Sequence, residues 1–211
     1  MARLRKAARV WRNPGARAAA ESVMVATDGA AFALDLAALF GRSAPLEIEV
    51  GAGRGDFLIE RAAACPERDF LAVELAASVA RLMAARAGRR ALRNLRVLVA
   101  DARTIVNLML PAASVAAYHI YFPDPWPKAR HGKHRMLTPA VVAGLERTLA
   151  PGGLIHVASD VEEWAAAMFA MLGAGGFVEA GGEAGGARFT GFARKYIGAG
   201  KPIYAASFRH S

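Results

Sequence analysis

The chain has 211 residues, of which 55% are hydrophobic and 21% charged, so it can bury one well-packed domain. Its single cysteine, Cys65, excludes an internal disulfide framework and a cysteine-rich metal site, and a reducing cytoplasmic setting is expected. The net charge of +9 favours a polyanionic partner. No apolar run reaches the roughly 18 residues that a membrane span needs, so no membrane partner is expected.

The N-terminal segment is basic. Six lysines and arginines precede position 18, and no acid precedes Glu21. No apolar core of a secretory signal follows. We interpret residues 1–44 as a basic arm with a lead-in helix. Contact with phosphates and a plain solvated arm both stay open for it.

Apolar runs alternate with helical stretches over the rest of the chain, residues 45–211. The predicted strands cover residues 46–50, 70–75, 95–100, 115–122 and 154–158, with a final strand at 203–208 and a possible one starting at Phe177. The predicted helices cover residues 56–64, 76–90, 138–149 and 161–172, with a shorter one at 102–110. Pro151-Gly152-Gly153 is predicted to be the turn before the strand at 154. This alternation predicts an α/β fold with a doubly wound, mostly parallel sheet of about seven strands.

Three glycines at alternate positions follow the first strand and precede a helix: Gly51, Gly53 and Gly55. Glycine lets the backbone turn sharply and approach a ligand closely. The spacing is G-x-G-x-G, which differs from the G-x-G-x-x-G of pyrophosphate-binding dinucleotide folds and disfavours a nicotinamide cofactor. A plain tight turn is the alternative interpretation of the glycines alone.

One acid stands near the end of each of the first three strands: Glu49, Glu74 and Asp101. The carboxyl ends of parallel strands meet where open α/β sheets bind ligands. Glu49 would repel a phosphate but suits a cation, Glu74 suits ribose hydroxyls, and Asp101 can accept a hydrogen bond from an adenine amino group. S-adenosylmethionine, an adenosine with ammonium and sulfonium groups, matches these acids. Glu47, on the same face as Glu49, is a second choice for the charge role.

The fourth strand runs into a stiff turn in which Asp124 stands between two prolines. The prolines fix φ and remove backbone donors, so neither a central strand nor a helix continues there. Asp124 is thereby held beside Trp126, which either stacks on a base or packs the turn. A fixed carboxylate can orient a flat base and offset its growing positive charge. Four cations follow and predict phosphate contact: Lys128, Arg130, Lys133 and Arg135.

The histidines show no spacing typical of a metal site, so no metal is expected. We interpret His119 and His156 as strand residues.

These motifs together resemble a class I S-adenosylmethionine-dependent methyltransferase. The longer run over residues 122–135, Phe-Pro-Asp-Pro-Trp-Pro-Lys-Ala-Arg-His-Gly-Lys-His-Arg, is similar to that of the bacterial tRNA (guanine-N7)-methyltransferase family. The resemblance covers about residues 45–208, which would form the methyltransferase domain. It implies an enzyme that transfers a methyl group from S-adenosylmethionine to N7 of a guanine in tRNA, in the variable loop.

The resemblance also implies roles for individual residues. Cofactor contacts are implied at Glu49, Gly51, Gly53, Gly55, Glu74, Asp101 and Asp124, and the catalytic role falls to Asp124. Substrate contacts are implied at Lys128, Asp160, Thr190, Gly191 and Phe192. RNA contacts are implied at Arg130, Lys133 and Arg135. The implied partner is tRNA, bound by a cytoplasmic monomer or homodimer.

One position departs from the family. Its terminal motif is usually Thr-x-Phe/Tyr-Glu, and this chain has Ala193 at the fourth position. This departure leaves open a non-catalytic RNA-binding paralogue. The Pro-Asp-Pro-Trp turn is also similar to the Asn/Asp-Pro-Pro-aromatic loop of methyltransferases that act on amines, which leaves open a methyltransferase that acts on another base or amine.

Overall fold

The computed structural model describes residues 13–25, 33–124, 136–181, 186–187 and 190–211. The chain divides into two compact units, Met1–Ala102 and Arg103–Ser211. Each unit contains four of the eight strands in the described residues.

The first unit is built from parallel strands connected by helices. Its elements are α1 (Pro14–Glu21), β1 (Met24–Val25), α2 (Leu36–Phe40), β2 (Leu46–Val50), α3 (Leu58–Ala64), β3 (Asp69–Glu74), α4 (Ala77–Arg89) and β4 (Leu95–Val99). The strand order is β1-β4-β3-β2, and every neighbouring pair is parallel. All five residues of β2 are buried, as are the first five of β3, which is typical of strands in a sheet covered on both faces.

The lead-in helix α1 packs against α4. A Cβ added to Gly88 of α4 would lie 1.8 Å from the carbonyl oxygen of Ala19, so the two helices approach through a glycine. The short strand β1, which the sequence analysis did not predict, follows α1 and pairs with β4. Two residues are too few to show a strand periodicity. The boundary between residues 44 and 45 stays a prediction.

The second unit contains parallel and antiparallel strands. Its elements are β5 (Val115–Tyr121), α5 (Pro139–Thr148), β6 (Leu149–Ser159), α6 (Glu162–Ala174), β7 (Phe177–Glu179), α7 (Gly191–Ile197) and β8 (Tyr204–His210). The strand order is β5-β6-β8-β7, where β5 and β6 are parallel and β8 is antiparallel to both of its neighbours.

The prediction of a helix at 102–110 is only partly correct. One α-helical turn, Ala102–Thr104, passes into a π-helix, Ile105–Met109. The Arg147 guanidinium donates to the carbonyl oxygens of Val106, Asn107 and Leu110 at 3.0, 3.2 and 2.8 Å. An external donor therefore satisfies carbonyls in and just after the wider turn.

The strand predicted at 154–158 begins earlier than expected. Val115 pairs with Leu149 and Ala117 pairs with Leu154, so β6 has extra residues that bulge between the two pairs. Gly152 in this bulge has a φ of +74°. The Pro-Gly-Gly sequence therefore forms a bulge within β6. The prediction that it is the turn before this strand is wrong.

The predicted α/β fold with mostly parallel strands is confirmed, and the described residues form eight strands where about seven were predicted. No helix among the described residues is both long and apolar enough to cross a membrane.

Candidate functional site

The end of β2 places a carboxylate in the interior of the first unit. Glu49 is 5% exposed, and its Oε2 atom is buried without a hydrogen-bond partner among the described residues. Burial raises the pKa of Glu49 well above its usual value, and the charges of Asp56 and Glu74 raise it further, while the Leu58 backbone N–H opposes them. A buried carboxylate with an unsatisfied oxygen and acidic neighbours is suited to receive a cation.

The glycine loop follows directly. Gly51 and Gly53 have φ values of +72° and +57°, a region that disfavours residues with a Cβ. A Cβ on Gly51 would meet nothing within 4 Å, so the backbone borders open space there. Gly55 also has a φ of +70°, and a Cβ there would lie 2.6 Å from Cγ of Met83 in α4, so both its backbone conformation and its packing favour glycine. The loop thus borders open space at Gly51 and packs against a helix at Gly55.

Glu74, at the end of β3, is joined to this loop. Its Oε2 accepts a hydrogen bond from the Gly53 N–H at 2.9 Å, and its Oε1 accepts one from the Ala76 N–H at 2.8 Å. Each carboxylate oxygen keeps a second lone pair for a ligand hydroxyl. Leu75 beside it is 71% exposed, a large apolar surface that the sequence analysis did not single out. Asp101 follows β4, half-buried.

Glu47, the second choice for the charge role, has a structural function. It is fully buried, and Arg61 of α3 pairs with both of its oxygens, at 2.8 Å to Oε1. Arg68 lies 3.1 Å from the same oxygen. Because two arginines neutralise Glu47, this acid does not fit the charge role toward a cationic cofactor.

In the second unit, strained backbone leads to Asp124. Phe122 has a φ of +51°, which is costly for a bulky residue, and its N–H donates to the Ala158 carbonyl at 2.8 Å. Asp124 is exposed and borders a surface groove. The other lining residues are mostly apolar: Pro123, Met136, Leu137, Trp164, Ala167, Met168 and Met171. A carboxylate therefore stands at the rim of an apolar groove.

Asp160 and Thr190 each have a partner within the second unit. Asp160 follows β6 and accepts a hydrogen bond from the Tyr196 hydroxyl, which raises the pKa of Tyr196. The Thr190 hydroxyl caps α7 by accepting from the Ala193 N–H at 3.0 Å, and it donates to the Ala187 carbonyl at 3.0 Å. Ala193 is fully buried. Gly191 is exposed at the first position of α7, and Phe192 is described only as backbone.

The two strand histidines form a buried polar cluster. The rings of His119 and His156 stack with their centroids 5.0 Å apart. His119 is hydrogen-bonded to the Tyr121 hydroxyl at 2.9 Å, and His156 to the Ser207 hydroxyl at 2.7 Å. The described part of the chain contains no group of three residues that could hold a metal ion.

The structure thus brings Glu49, the glycine loop and Glu74 together at one end of the first unit's strands. Asp124, Asp160 and Thr190 belong to the second unit. The basic residues that were predicted to contact phosphates lie outside the described residues: Lys128, Arg130, Lys133 and Arg135. Trp126 also lies outside them.

A family described as putative methyltransferases matches residues 43–182, well over half of the chain. The chain belongs to this methyltransferase family. Its match includes the glycine loop, the three strand-end acids, Asp124 and Asp160.

Individual proteins support the same assignment. This methyltransferase is 43% identical over 139 residues to the tRNA (guanine-N(7)-)-methyltransferase of Psychromonas ingrahamii, a match that covers 66% of this chain and 57% of that protein. It is 48% identical over 142 residues to the protein of that name from Leifsonia xyli subsp. xyli, covering 67% and 62%. The matches therefore span less than two thirds of the length of these relatives.

Solved structures share the fold. The 16S rRNA methyltransferase KamB aligns with a TM-score of 0.60 at 19% identity, covering 83% of this chain and 92% of that one. A SAM-dependent methyltransferase from Aquifex aeolicus aligns with a TM-score of 0.55 at 15% identity, covering 80% and 84%.

Proposed function

We propose that this protein transfers a methyl group from S-adenosylmethionine to N7 of a guanine in tRNA, in the variable loop. The observation that carries the proposal is the buried Glu49 carboxylate, whose Oε2 has no hydrogen-bond partner among the described residues, beside the open glycine loop. Relatives with 43–48% identity that are named tRNA (guanine-N(7)-)-methyltransferases support the choice of acceptor. We place the protein in the cytoplasm, as a monomer or homodimer.

The residues of the first unit fit the cofactor. Glu49 would hold its ammonium group, and the free lone pairs of Glu74 would accept the ribose hydroxyls. Asp101 would accept the adenine amino group, and exposed Leu75 would cover one face of the ring. When bound, S-adenosylmethionine supplies an electrophilic methyl group.

The residues of the second unit would act on the acceptor. Guanine N7 carries a lone pair at neutral pH, so the protein needs no general base. Its task is alignment, which can contribute about 7–11 kcal/mol to lowering a barrier. Asp124, exposed at the rim of an apolar groove, would orient the base and offset the positive charge that develops on it. Asp160 and the Thr190 patch would add substrate contacts.

The basic run would bind the tRNA backbone. Lys128, Arg130, Lys133 and Arg135 would contact phosphates, and each contact releases counterions. Replacing the last three together is therefore expected to weaken tRNA binding and to flatten its salt dependence. A salt slope that does not change would place the RNA surface elsewhere.

The test of the function is product identification. The protein is incubated with methyl-labelled S-adenosylmethionine and bulk tRNA, and the labelled nucleoside is identified after digestion. 7-Methylguanosine supports the proposal. A different methylated nucleoside would favour another acceptor, and tRNA binding without label would favour a non-catalytic RNA-binding protein, an outcome that Ala193 makes worth testing.

Asp124→Ala tests the catalytic assignment. It is expected to abolish transfer while leaving the fold and most binding of S-adenosylhomocysteine intact. Glu163→Ala, an exposed acid in the first turn of α6, is the matched control and should transfer normally. Near-normal turnover by Asp124→Ala would refute the role.

A further inference from the structure

An arginine of α4 is hydrogen-bonded to the glycine loop. Nη1 of Arg86 donates to the Arg54 carbonyl oxygen at 2.5 Å and to Oδ1 of Asp56 at 2.7 Å. The Arg86 and Asp56 side chains are 32% and 24% exposed, so the pair is partly shielded from solvent. One guanidinium nitrogen therefore holds the loop at its backbone and at a side chain.

The loop needs such a support because of its composition. Glycines lose more conformational freedom than other residues when a loop becomes ordered, and that loss weakens ligand binding if it occurs on binding. Other contacts already restrain the loop on both sides of Arg54. The Gly51 N–H donates to the Val73 carbonyl at 2.8 Å, the Gly53 N–H bonds to Glu74, and Gly55 packs on Met83, one helical turn before Arg86. Arg86 adds a side-chain restraint at Arg54 itself.

The same contact bears on the charge of the site. Glu49 faces Asp56 from the loop and Glu74 from β3, and the Leu58 backbone N–H opposes their effect. A guanidinium 2.7 Å from Asp56 offsets one of these two negative charges. It therefore favours the ionised form of Glu49, the form that can bind an ammonium group.

We propose that Arg86 is a positioning residue that pre-orders the glycine loop for an adenosyl cofactor and offsets the Asp56 charge beside Glu49. Arg86 does not have to touch the cofactor itself, since it acts through Arg54 and Asp56. This inference rests on the proposed S-adenosylmethionine site.

The experiment compares two arginines of the same helix region. Arg86→Met removes both contacts to the loop. Arg90→Met is the matched control, because Arg90 pairs with Glu60 of α3 at 2.6 Å and does not contact the loop. Binding of S-adenosylhomocysteine to the full chain is measured by calorimetry, and thermal unfolding of each variant is measured without ligand.

Arg86→Met is expected to raise Kd about tenfold, because the loop must then become ordered when the ligand binds. Arg90→Met should bind like the unmodified chain, and Arg86→Lys, which keeps the charge but not the planar group, should bind with intermediate affinity. The KM for S-adenosylmethionine should rise with little change in kcat. Equal Kd values for Arg86→Met and Arg90→Met would overturn the inference.

The pH dependence separates positioning from a general loss of structure. In Arg86→Met, the pH at which binding weakens should move upward, because Asp56 is no longer offset. Adding Asp56→Asn should move it back. A midpoint that is identical in all three proteins would refute the electrostatic part. An unmodified chain that fails to bind S-adenosylhomocysteine would overturn the proposed cofactor site itself.

Discussion

Glu49→Gln should stabilise the protein and abolish cofactor binding. The substitution keeps the shape of the side chain and removes its charge. Glu49 is buried, its Oε2 has no hydrogen-bond partner among the described residues, and two acids face it. Leaving a buried group unsatisfied costs about 1–3 kcal/mol, and more if it is charged. Because the amide keeps part of this cost, we expect Glu49→Gln to gain about 1–3 kcal/mol at neutral pH.

The pH dependence follows from the direction of the pKa shift. The folded protein holds the Glu49 proton to a higher pH than the unfolded chain does, because burial raises the pKa. Between the ordinary carboxyl pKa and the raised one, the folded state binds more protons, so the contribution of Glu49 to stability falls as pH rises. Above the raised pKa, the contribution of Glu49 to stability no longer changes with pH. Glu49→Gln should lack this slope.

The assay is denaturant unfolding at several pH values, with and without S-adenosylhomocysteine. For a chain of this size, a gain of 1–3 kcal/mol corresponds to a rise in Tm of about 2–12 °C. Saturating ligand should stabilise the unmodified chain, by about 2.7 kcal/mol at 100 times Kd, and should not stabilise the variant. A variant that is less stable than the unmodified chain at neutral pH, or that keeps the ligand response, would refute the reasoning.

Glu47→Gln is the matched control for this experiment. It lies two residues earlier on the same strand, and it should destabilise the protein because Arg61 and Arg68 lose their acceptor. Removing one partner of a fully buried ion pair costs about 3–5 kcal/mol. The loss here should be smaller, since the two arginine side chains are 34% and 38% exposed.

Four further substitutions test separate parts of the structure. Gly51→Ala and Gly41→Ala should each lose about 1 kcal/mol of stability, since both glycines have positive φ and open space around a Cβ, but only Gly51→Ala should weaken S-adenosylhomocysteine binding in calorimetry. Gly88→Ala should lower Tm by displacing α1, because its Cβ would lie 1.8 Å from the Ala19 carbonyl oxygen; an unchanged Tm would contradict the packing. Ala193→Glu should destabilise the free protein at neutral pH and less so at acidic pH, since the position is fully buried, which denaturation at two pH values can check.

The strand-end acids were predictable because their positions depend on local pattern. Apolar runs show the strands, and a parallel sheet aligns their carboxyl ends, so Glu49 and Glu74 had to lie at the same edge of the first unit. What the pattern could not show is the environment of each acid. Whether a carboxylate on β2 meets an arginine depends on how the helix and the turn after the loop pack against the strand, because these supply Arg61 and Arg68.

Other features depend on tertiary contacts that leave no local signal. Phe122 adopts a left-handed backbone although its sequence favours extended structure, since its N–H is held by Ala158. The π-helix at Ile105–Met109 forms where Arg147 supplies the donors. Arg86 reads as an ordinary cation on the exposed side of a helix, and only its contacts with the loop distinguish it.

A comparison of Glu47 with Glu49 bears on why negative charge surrounds Glu49. Both are buried acids on one face of β2, so the sheet imposes the same desolvation on each. The first unit supplies two arginines to Glu47 and surrounds Glu49 with Asp56 and Glu74. A fold able to neutralise one buried acid could neutralise the next by the same means. It places negative charge around Glu49 instead, and this agrees with the proposal that a ligand supplies the compensating cation. On that proposal, the ligand-free protein is less stable than one with a neutral side chain at this position.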